Sequence, residues 1–441
     1  MSKPKPLSRE EYARRRRQLM RIMGRDSIAV LPAAVPRIRN NDVHYAYRQD
    51  SDFHYLTGFD EPDSVAVLVP GRAGGEYLLF VRERDPERET WDGHRAGPEG
   101  ATGDFDADDA FPIADLDDIL PGLMENRARV FYTMGVNHEF DQRVLGWVNG
   151  LRAQARHGRH PPHEIVALEH FLHDMRLYKS RAELALMQQA ADIAARAHVR
   201  AMRFCRPGRH EYELMAELLH EFHAAQADIS YQPIVGGGAN GCILHYVENR
   251  ARLQDGDLVL IDAGCEYQKY ASDITRTFPV NGAFSAAQRA VYDVVLEANL
   301  AAIAKVKPGN HWNEPHDAAV QVLTAGLVRL GLLKGRVPAL VKSQAYRQFY
   351  MHRTGHWLGM DVHDVGDYKV GDVWRELESG MVLTIEPGLY IAPGARGVPK
   401  AFQGIGIRIE DDVAVTRDGC QVLTRAVPKD PEEIEALMGA A

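Results

Sequence analysis

The chain has 441 residues, too many for one ordinary domain, so two are expected. Its 45% hydrophobic and 26% charged residues describe a soluble globular protein, and a net charge of −9 argues against nucleic acid as its main partner. No apolar run approaches the roughly 20 residues that span a bilayer, so no membrane partner is expected. No signal-like apolar region follows the Arg14–Arg17 run, which reads as a solvated helix face. The four cysteines, Cys205, Cys242, Cys265 and Cys420, form no C-x-x-C pair and read as free thiols in a cytoplasmic protein.

The first part of the chain mixes short apolar strands with turns. "SVAVLVPG" and "EYLLFV" read as buried strands flanking the Gly71–Gly75 turn, and "RVFYTMG" as another. The acidic, Gly- and Ala-rich stretch from Arg95 to Asp118 is expected to be a loop. "HGRHPPHE", from His157 to Glu164, reads as a boundary because prolines and polar residues interrupt any period. The division adopted is an N-terminal mixed α/β domain, 1–173, and a second domain, 174–441.

The second part has a rhythm that occurs twice. Ser180 with Glu183 forms a capping box that opens a helix, and Leu184, Met187, Ala191, Ala194 and His198 continue one face. A second helix is expected from Tyr212 to about Ala225, with strands then running through Phe278. Ser285 with Gln288 opens another helix, whose face continues through Val291, Val294, Val295 and Ala298. A helix from about Glu314 to Leu330 follows, then strands from about Met351 to Val415. Two helices followed by strands, twice over, imply a pseudo-duplicated α+β domain with helices packed on an antiparallel sheet.

Carboxylates occupy the apolar strands of this part. In "DLVLIDAG", Leu258, Leu260 and Asp262 share one face, and in "SDITRTF" Asp273 aligns with Thr275 and Thr277. A hairpin turning near Tyr267 and Gln268 would bring Asp262 and Asp273 roughly opposite each other. Opposed like charges destabilise a strand pair. A retained proton, open solvent or intervening cations would each relieve the conflict. "MVLTIEPGLYI" adds Glu386 beside Val382 and Thr384, and "GIGIRIEDDVAV" adds Glu410 on the face of Arg408. "MHRTGHWLGMDVHDVG" carries His352, His356 and His363. Four carboxylates balance two divalent cations, and oxygen-rich ligation with one imidazole suits Mn²⁺ or Co²⁺, with Zn²⁺ or Fe²⁺ as alternatives. Two such ions can hold a nucleophile and polarise a carbonyl.

The set Asp262, Asp273, His356, Glu386 and Glu410 resembles the five-ligand dinuclear site of the pita-bread metallopeptidases, which include methionine aminopeptidase, prolidase and aminopeptidase P. The matching stretches are "IDAGCEYQKYASDITRTF", "HWLGMDVHD", "TIEPGLY" and "GIGIRIED". The N-terminal "YAYRQDSDFHYLTGFDEPDSVAVLV" resembles the extra domain of aminopeptidase P. The resemblance implies two related halves around a curved antiparallel sheet. It also implies cleavage between an N-terminal residue and a following proline, and a homo-oligomer, dimer or tetramer; of the metals that the ligand set suits, Mn²⁺ is the one expected, before Co²⁺ or Zn²⁺.

By the same resemblance, Asp273 and Glu410 would bridge the metals, Asp262 would complete one shell, and His356 and Glu386 the other. A bridging hydroxide would attack the scissile carbonyl, with Glu386 as proton shuttle. His245 and His363 match histidines that contact substrate and the developing oxyanion, and His352 matches a third near the substrate. Arg408 would support a carboxylate, and Tyr390 is a weaker candidate for the same task. Trp91 and Tyr55 are weighed as residues reaching a neighbouring subunit, against ordinary packing. Gly355 stands where many relatives have Ser, a change of local backbone freedom. Gly236, Gly238 and Gly241 fit G-x-G-x-x-G, but "CILHYVEN" follows where a helix is needed, so the glycines are expected to admit substrate close to the backbone rather than a dinucleotide. Prolidase activity, restricted to Xaa-Pro dipeptides, is the alternative. A non-catalytic peptide-binding domain and metal-free creatinase-like C–N hydrolysis are disfavoured by the intact ligand set.

Overall fold

The computed structural model describes residues 6–439. They form two compact units, one spanning Leu7–Met175 and one beginning at Arg176.

The first unit is built on a six-stranded mixed sheet. Its order is Asp109–Pro112, Tyr77–Val81, Val65–Leu68, Ser27–Pro32, Arg129–Phe131 and Glu164–Val166. Val65–Leu68 and Tyr77–Val81 are buried along their whole length, which explains their unbroken apolar sequence. Two elements depart from the sequence reading. The arginine run is only half solvated. Arg14 and Arg17 are exposed, but Arg15 and Arg16 turn inward from the helix Arg9–Met23. Arg15 stacks 4.1 Å from the Tyr55 ring centroid and donates to Tyr55 O at 3.0 Å. Arg16 lies 4.0 Å from the Tyr77 ring and donates to Leu56 O at 2.9 Å. Aromatic faces and carbonyl acceptors make this burial tolerable for a weakly hydrated guanidinium. Tyr55 is itself buried, its hydroxyl donating to Met175 O at 3.2 Å, whereas Trp91 is 85% exposed.

The expected loop from Arg95 to Asp118 instead contains the helix Gly97–Phe105, the strand Asp109–Pro112 and the start of the helix Leu116–Met124. Its acids act as turn acceptors: Asp108 Oδ2 takes the backbone N–H groups of Glu76 and Tyr77 at 2.8 and 2.9 Å. Leu116, Leu120 and Met124, four residues apart, put one helix face into the core. The His157–Glu164 segment is irregular across its prolines and leads into the strand Glu164–Val166 of the same sheet, which pairs parallel with Arg129–Phe131.

In the second unit the doubled rhythm holds. Helices Arg181–Phe204 and Glu211–Ala224 precede one set of strands, and Ala286–Ile303 and Glu314–Arg329 precede the other. Both capping boxes are formed. Every strand pair described in this unit is antiparallel. Leu258–Asp262 lies between Ile234–Gly237 and Thr275–Pro279. Val382–Ile385 pairs with Asp411–Val415, and Gly388–Ile391 with Ile405–Arg408. The two sets are joined where Thr277 Oγ1 donates to Arg408 O at 3.1 Å and Glu410 N–H donates to Thr275 O at 3.0 Å. The segment 351–366 carries no helix or strand, contrary to the expected strand start at Met351. Its glycines and histidines follow no period of two; a single bridge, Trp357 with Leu383, and backbone bonds from Thr384 N–H to His356 O at 2.9 Å and from Leu358 N–H to Val382 O at 3.0 Å tie it to the strand Val382–Ile385. Among the described residues no helix is long and apolar enough to cross a membrane. The four cysteines are free, with Cys205 and Cys265 buried.

Candidate metal centre

The acids sit where strands break. Asp262 ends the strand Leu258–Asp262, while Asp273, Glu386 and Glu410 each lie between two consecutive strands. A break in the ladder frees a side chain to turn out of the sheet. The expected hairpin forms, but its turn falls at Gln268 and Lys269, both at positive φ, one residue beyond the expected Tyr267 and Gln268. The register differs, however. Asp262 faces Thr275, so Asp273 is its diagonal neighbour, displaced by two residues. The turn is the reason: one register runs from Tyr267 opposite Tyr270 to Asp262 opposite Thr275, so a turn one residue later carries Asp273 past Asp262. Gly264 lies within this hairpin, where a Cβ would lie 1.7 Å from Ser272 O.

Asp273, His356 and Glu410 each offer a donor atom, all within 4.8 Å of one another. His356 Nδ1–H donates to Trp357 O at 2.9 Å, leaving Nε2 to face Asp273 Oδ2 at 3.4 Å and Glu386 Oε1 at 3.8 Å. That tautomer is the one a metal-facing Nε2 requires. Asp273 and Glu410 are buried, and Asp262 and Glu386 are partly buried. Burial and the surrounding acids push Glu410 well above the usual carboxylate range and Glu386 up to about 7, against the opposing pull of Arg408. Burial lowers His356, but its hydrogen bond to Asp273 and the charges of Asp273 and Glu386 prevail and lift it to about 9. Clustered carboxylates that raise one another's proton affinity, with one correctly oriented imidazole, fit divalent cations: metal charge would relieve the repulsion that protons otherwise relieve.

A second network surrounds this cluster. Arg408 is buried and donates through Nε to Thr275 Oγ1 at 3.0 Å, through Nη1 to Tyr390 Oη at 3.0 Å, and through Nη2 to Asp262 Oδ2. Thr275 in turn donates to Glu410 Oε2 at 2.6 Å. Tyr390 O–H donates to His352 Nε2 at 2.9 Å, since His352 Nδ1–H is used on Arg353 O at 2.7 Å. Burial, aided by Arg408, lowers His352 to about 3, so its ring is neutral. His352 Nδ1 lies 3.7 Å from Glu386 Oε2. His363 packs edge-on against His356, with ring centroids 4.4 Å apart. His245 is exposed on its loop.

Sequence reasoning missed four contributors. Tyr231 Oη reaches both Asp262 Oδ1 and Asp273 Oδ1. Nothing local marks it: the neighbouring strand Asp228–Ile229 is brought in by pairing with Cys265–Tyr267. Thr275 stood on the correct face but drew no notice. Asp412, visible in "IEDD", accepts from Asp273 N–H at 3.1 Å, and burial followed by the Asp273 charge pushes its carboxyl well above the usual range. Asp364 anchors the His363 loop, accepting from Arg176 at 2.7 Å and Lys179 at 2.9 Å.

Two glycine readings change. A Cβ on Gly406 would lie 2.1 Å from Gly241 O, and one on Gly236 would lie 2.9 Å from Gly241 N. These glycines let the chain approach itself, and only a short 3₁₀ turn, Gly238–Cys242, follows them. At Gly355 space rather than backbone freedom is decisive: a Cβ would lie 2.0 Å from Thr384 O.

The model of metallopeptidase family M24 matches residues 185–417, and that of the aminopeptidase P N-terminal domain matches 12–132. The Xaa-Pro aminopeptidase of Escherichia coli is 47% identical over 99% of both chains. The chain belongs to metallopeptidase family M24, in its aminopeptidase P branch. Among solved structures, Pseudomonas aeruginosa aminopeptidase PepP superposes with a TM-score of 0.98 at 62% identity, covering 99% of each chain. Zn-substituted E. coli aminopeptidase P in complex with product reaches 0.96 at 46% identity, again over 99% of each chain. As an M24 member the chain is a hydrolase with the pita-bread fold. Its aminopeptidase P kinship runs through both units, which disfavours the prolidase alternative.

Proposed function

We propose that the chain is an Xaa-Pro aminopeptidase, releasing the N-terminal residue from peptides with proline in second position. The observation that carries the reading is the convergence of four carboxylates and one imidazole from both halves of a chain that matches Xaa-Pro aminopeptidase end to end. Asp262, Asp273, His356, Glu386 and Glu410 would hold two divalent cations, Mn²⁺ in preference to Co²⁺ or Zn²⁺, with Asp273 and Glu410 shared. Bound there, the ions would supply an activated water and polarise the scissile carbonyl.

The chain's own residues do the rest. Glu386 lies between His356 and His352, where it can take a proton and return it to the leaving nitrogen. That nitrogen belongs to a tertiary amide with no N–H and a fixed φ, which ordinary peptidases fit poorly. His245 and His363 would donate to the substrate and to the developing oxyanion. Neutral His352 is held by the Arg408–Tyr390 relay and presents its ring beside Glu386. The proposal extends to the domain division 1–173 and 174–441, to a homo-oligomer, dimer or tetramer, and to the cytoplasm.

Incubation of the purified, metal-reconstituted protein with Xaa-Pro and Xaa-Pro-Yaa peptides tests the substrate class. Cleavage of the longer peptide is expected, and cleavage confined to the dipeptide would refute the reading. Asp273→Asn should lose metal and activity together, because it removes a shared charge. An active variant with full metal content would contradict the assignment.

A further inference from the structure

The segment that runs from Gly237, the end of a strand, to Ala251 contains one short 3₁₀ turn and otherwise no regular structure. It carries His245 between two exposed apolar residues, Ile243 and Val247. Its anchorage converges on one side chain. Glu211, at the start of the helix Glu211–Ala224, is fully buried. Its Oε1 accepts from Gly237 N–H at 2.8 Å and from Asn240 Nδ2 at 2.9 Å. Its Oε2 accepts from Tyr246 O–H at 2.9 Å and from Ala251 N–H at 2.8 Å. The backbone N–H of Glu211 returns a bond to Ala251 O at 3.0 Å. One carboxylate therefore ties both ends of the segment and two points between them.

We infer that Glu211 is the positioning residue that sets His245 over the catalytic cleft. The inference rests on the reading of His245 as a substrate contact. All four donors to Glu211 come from the segment that carries His245, so loss of the carboxylate pattern frees that segment. The strand Ile234–Gly237 remains paired with Leu258–Asp262, which ends at a metal-site acid. Tyr246, the residue after His245, is held at both ends. Its hydroxyl is on Glu211, and its ring packs with Leu260 and Tyr390. The carboxylate form matters, because a carboxylate is acceptor-only and can meet four N–H and O–H groups at once, whereas an amide turns two of its positions into donors.

The test is a double-mutant cycle on the metal-loaded enzyme with an Xaa-Pro-Yaa peptide, comparing Glu211→Gln, His245→Ala and the double variant. Hydrogen exchange of residues 237–251 and metal content are measured in parallel. A displacement of ~1 Å from a remote change can cost ~100-fold in rate. Glu211→Gln should therefore lower kcat/KM roughly 10- to 100-fold, with metal content unchanged and faster exchange confined to 237–251. In the His245→Ala background the same substitution should have almost no further effect. An equal loss with and without His245, or unchanged kcat/KM in Glu211→Gln, would overturn the inference. Full activity of His245→Ala would overturn the underlying reading of His245, and the inference with it. If Glu211→Gln does not fold, Asn240→Ala combined with Tyr246→Phe removes two of the four donors and leaves the carboxylate in place. That pair enters the same cycle with the same expected and refuting outcomes.

Discussion

Arg408→Lys separates the ligand-supporting role of Arg408 from its substrate-side role. The guanidinium serves three acceptors in three directions: Thr275 Oγ1, Tyr390 Oη and Asp262 Oδ2. A lysine ammonium is a point donor and cannot span them. The charge of Asp262 will hold it, so the bonds to Thr275 and Tyr390 are lost. A hydrogen bond involving a charged group contributes about 1.5–3 kcal/mol, which sets an upper range of about 3–6 kcal/mol for two. Coupling within the network makes the sum smaller. Tyr390 then no longer accepts from a cation, and the His352 ring it orients is released. The expected loss in kcat/KM is on the order of 100-fold, about 2.7 kcal/mol of transition-state stabilisation. Metal content should stay near that of the parent, because Asp262 remains paired. Arg408→Ala, which strips Asp262 of its cation, should lose metal as well. Steady-state kinetics on an Xaa-Pro-Yaa peptide with parallel metal analysis gives the readout. A lysine variant within threefold of the parent in kcat/KM would refute the relay, and equal metal loss in both variants would refute the division of roles.

Tyr231→Phe keeps the ring but removes the donor shared by Asp262 and Asp273. Loss of such a partner typically weakens metal binding about 10- to 100-fold, and a chelator competition titration will show whether it does. Gly264→Ala places a Cβ 1.7 Å from the backbone oxygen of Ser272, next to Asp273. Overpacking costs about 1–3 kcal/mol where side chains can yield, and more against backbone. A lowered denaturant midpoint with reduced metal content is expected. Asp364→Asn removes the charge facing Lys179 and one of the two carboxylates facing Arg176, which keeps Asp361 at 2.7 Å, and should cost about 3 kcal/mol at neutral pH, the lower end for a broken buried pair. Burial opposes the Asp364 charge, but Lys179 and Arg176 hold its pKa below the ordinary value. Its contribution is thus present above the unfolded value of about 3.9 and is lost as pH falls through the lower folded value. Denaturant unfolding at pH 7 and in acid should show the gap between parent and variant closing only in acid; a gap independent of pH would refute the assignment.

Much of the site was legible because its signal is local. An acid in an apolar strand is conspicuous wherever it occurs, and four of them plus a histidine in a glycine-rich segment suggested cations before any contact was known. Helix starts at Ser180 and Ser285 were legible for the same reason, since a capping box spans four residues. The acidic stretch around Asp108 misled because an acid that accepts backbone N–H groups looks, in sequence, like one exposed to water. Arg15 and Arg16 misled because their compensation comes from Tyr55 and Tyr77, far along the chain.

By itself, then, the sequence determined which chemistry is present: the alternation that aligns Asp262 with Leu260, the acids and the arginine set in apolar strand runs, and the doubled helix–strand rhythm. Tertiary structure alone decided how those groups meet. The diagonal placement of Asp262 and Asp273 depends on a turn at Gln268 and Lys269, and their shared tyrosine comes from 42 residues upstream of Asp273. Arg408 reaches Asp262 across 146 residues. Periodicity and caps are written within a few residues, because backbone geometry repeats over that distance. Hydrogen-bond partners across a folded sheet carry no local signature, because any donor of the right reach satisfies the acceptor and only packing selects which one arrives.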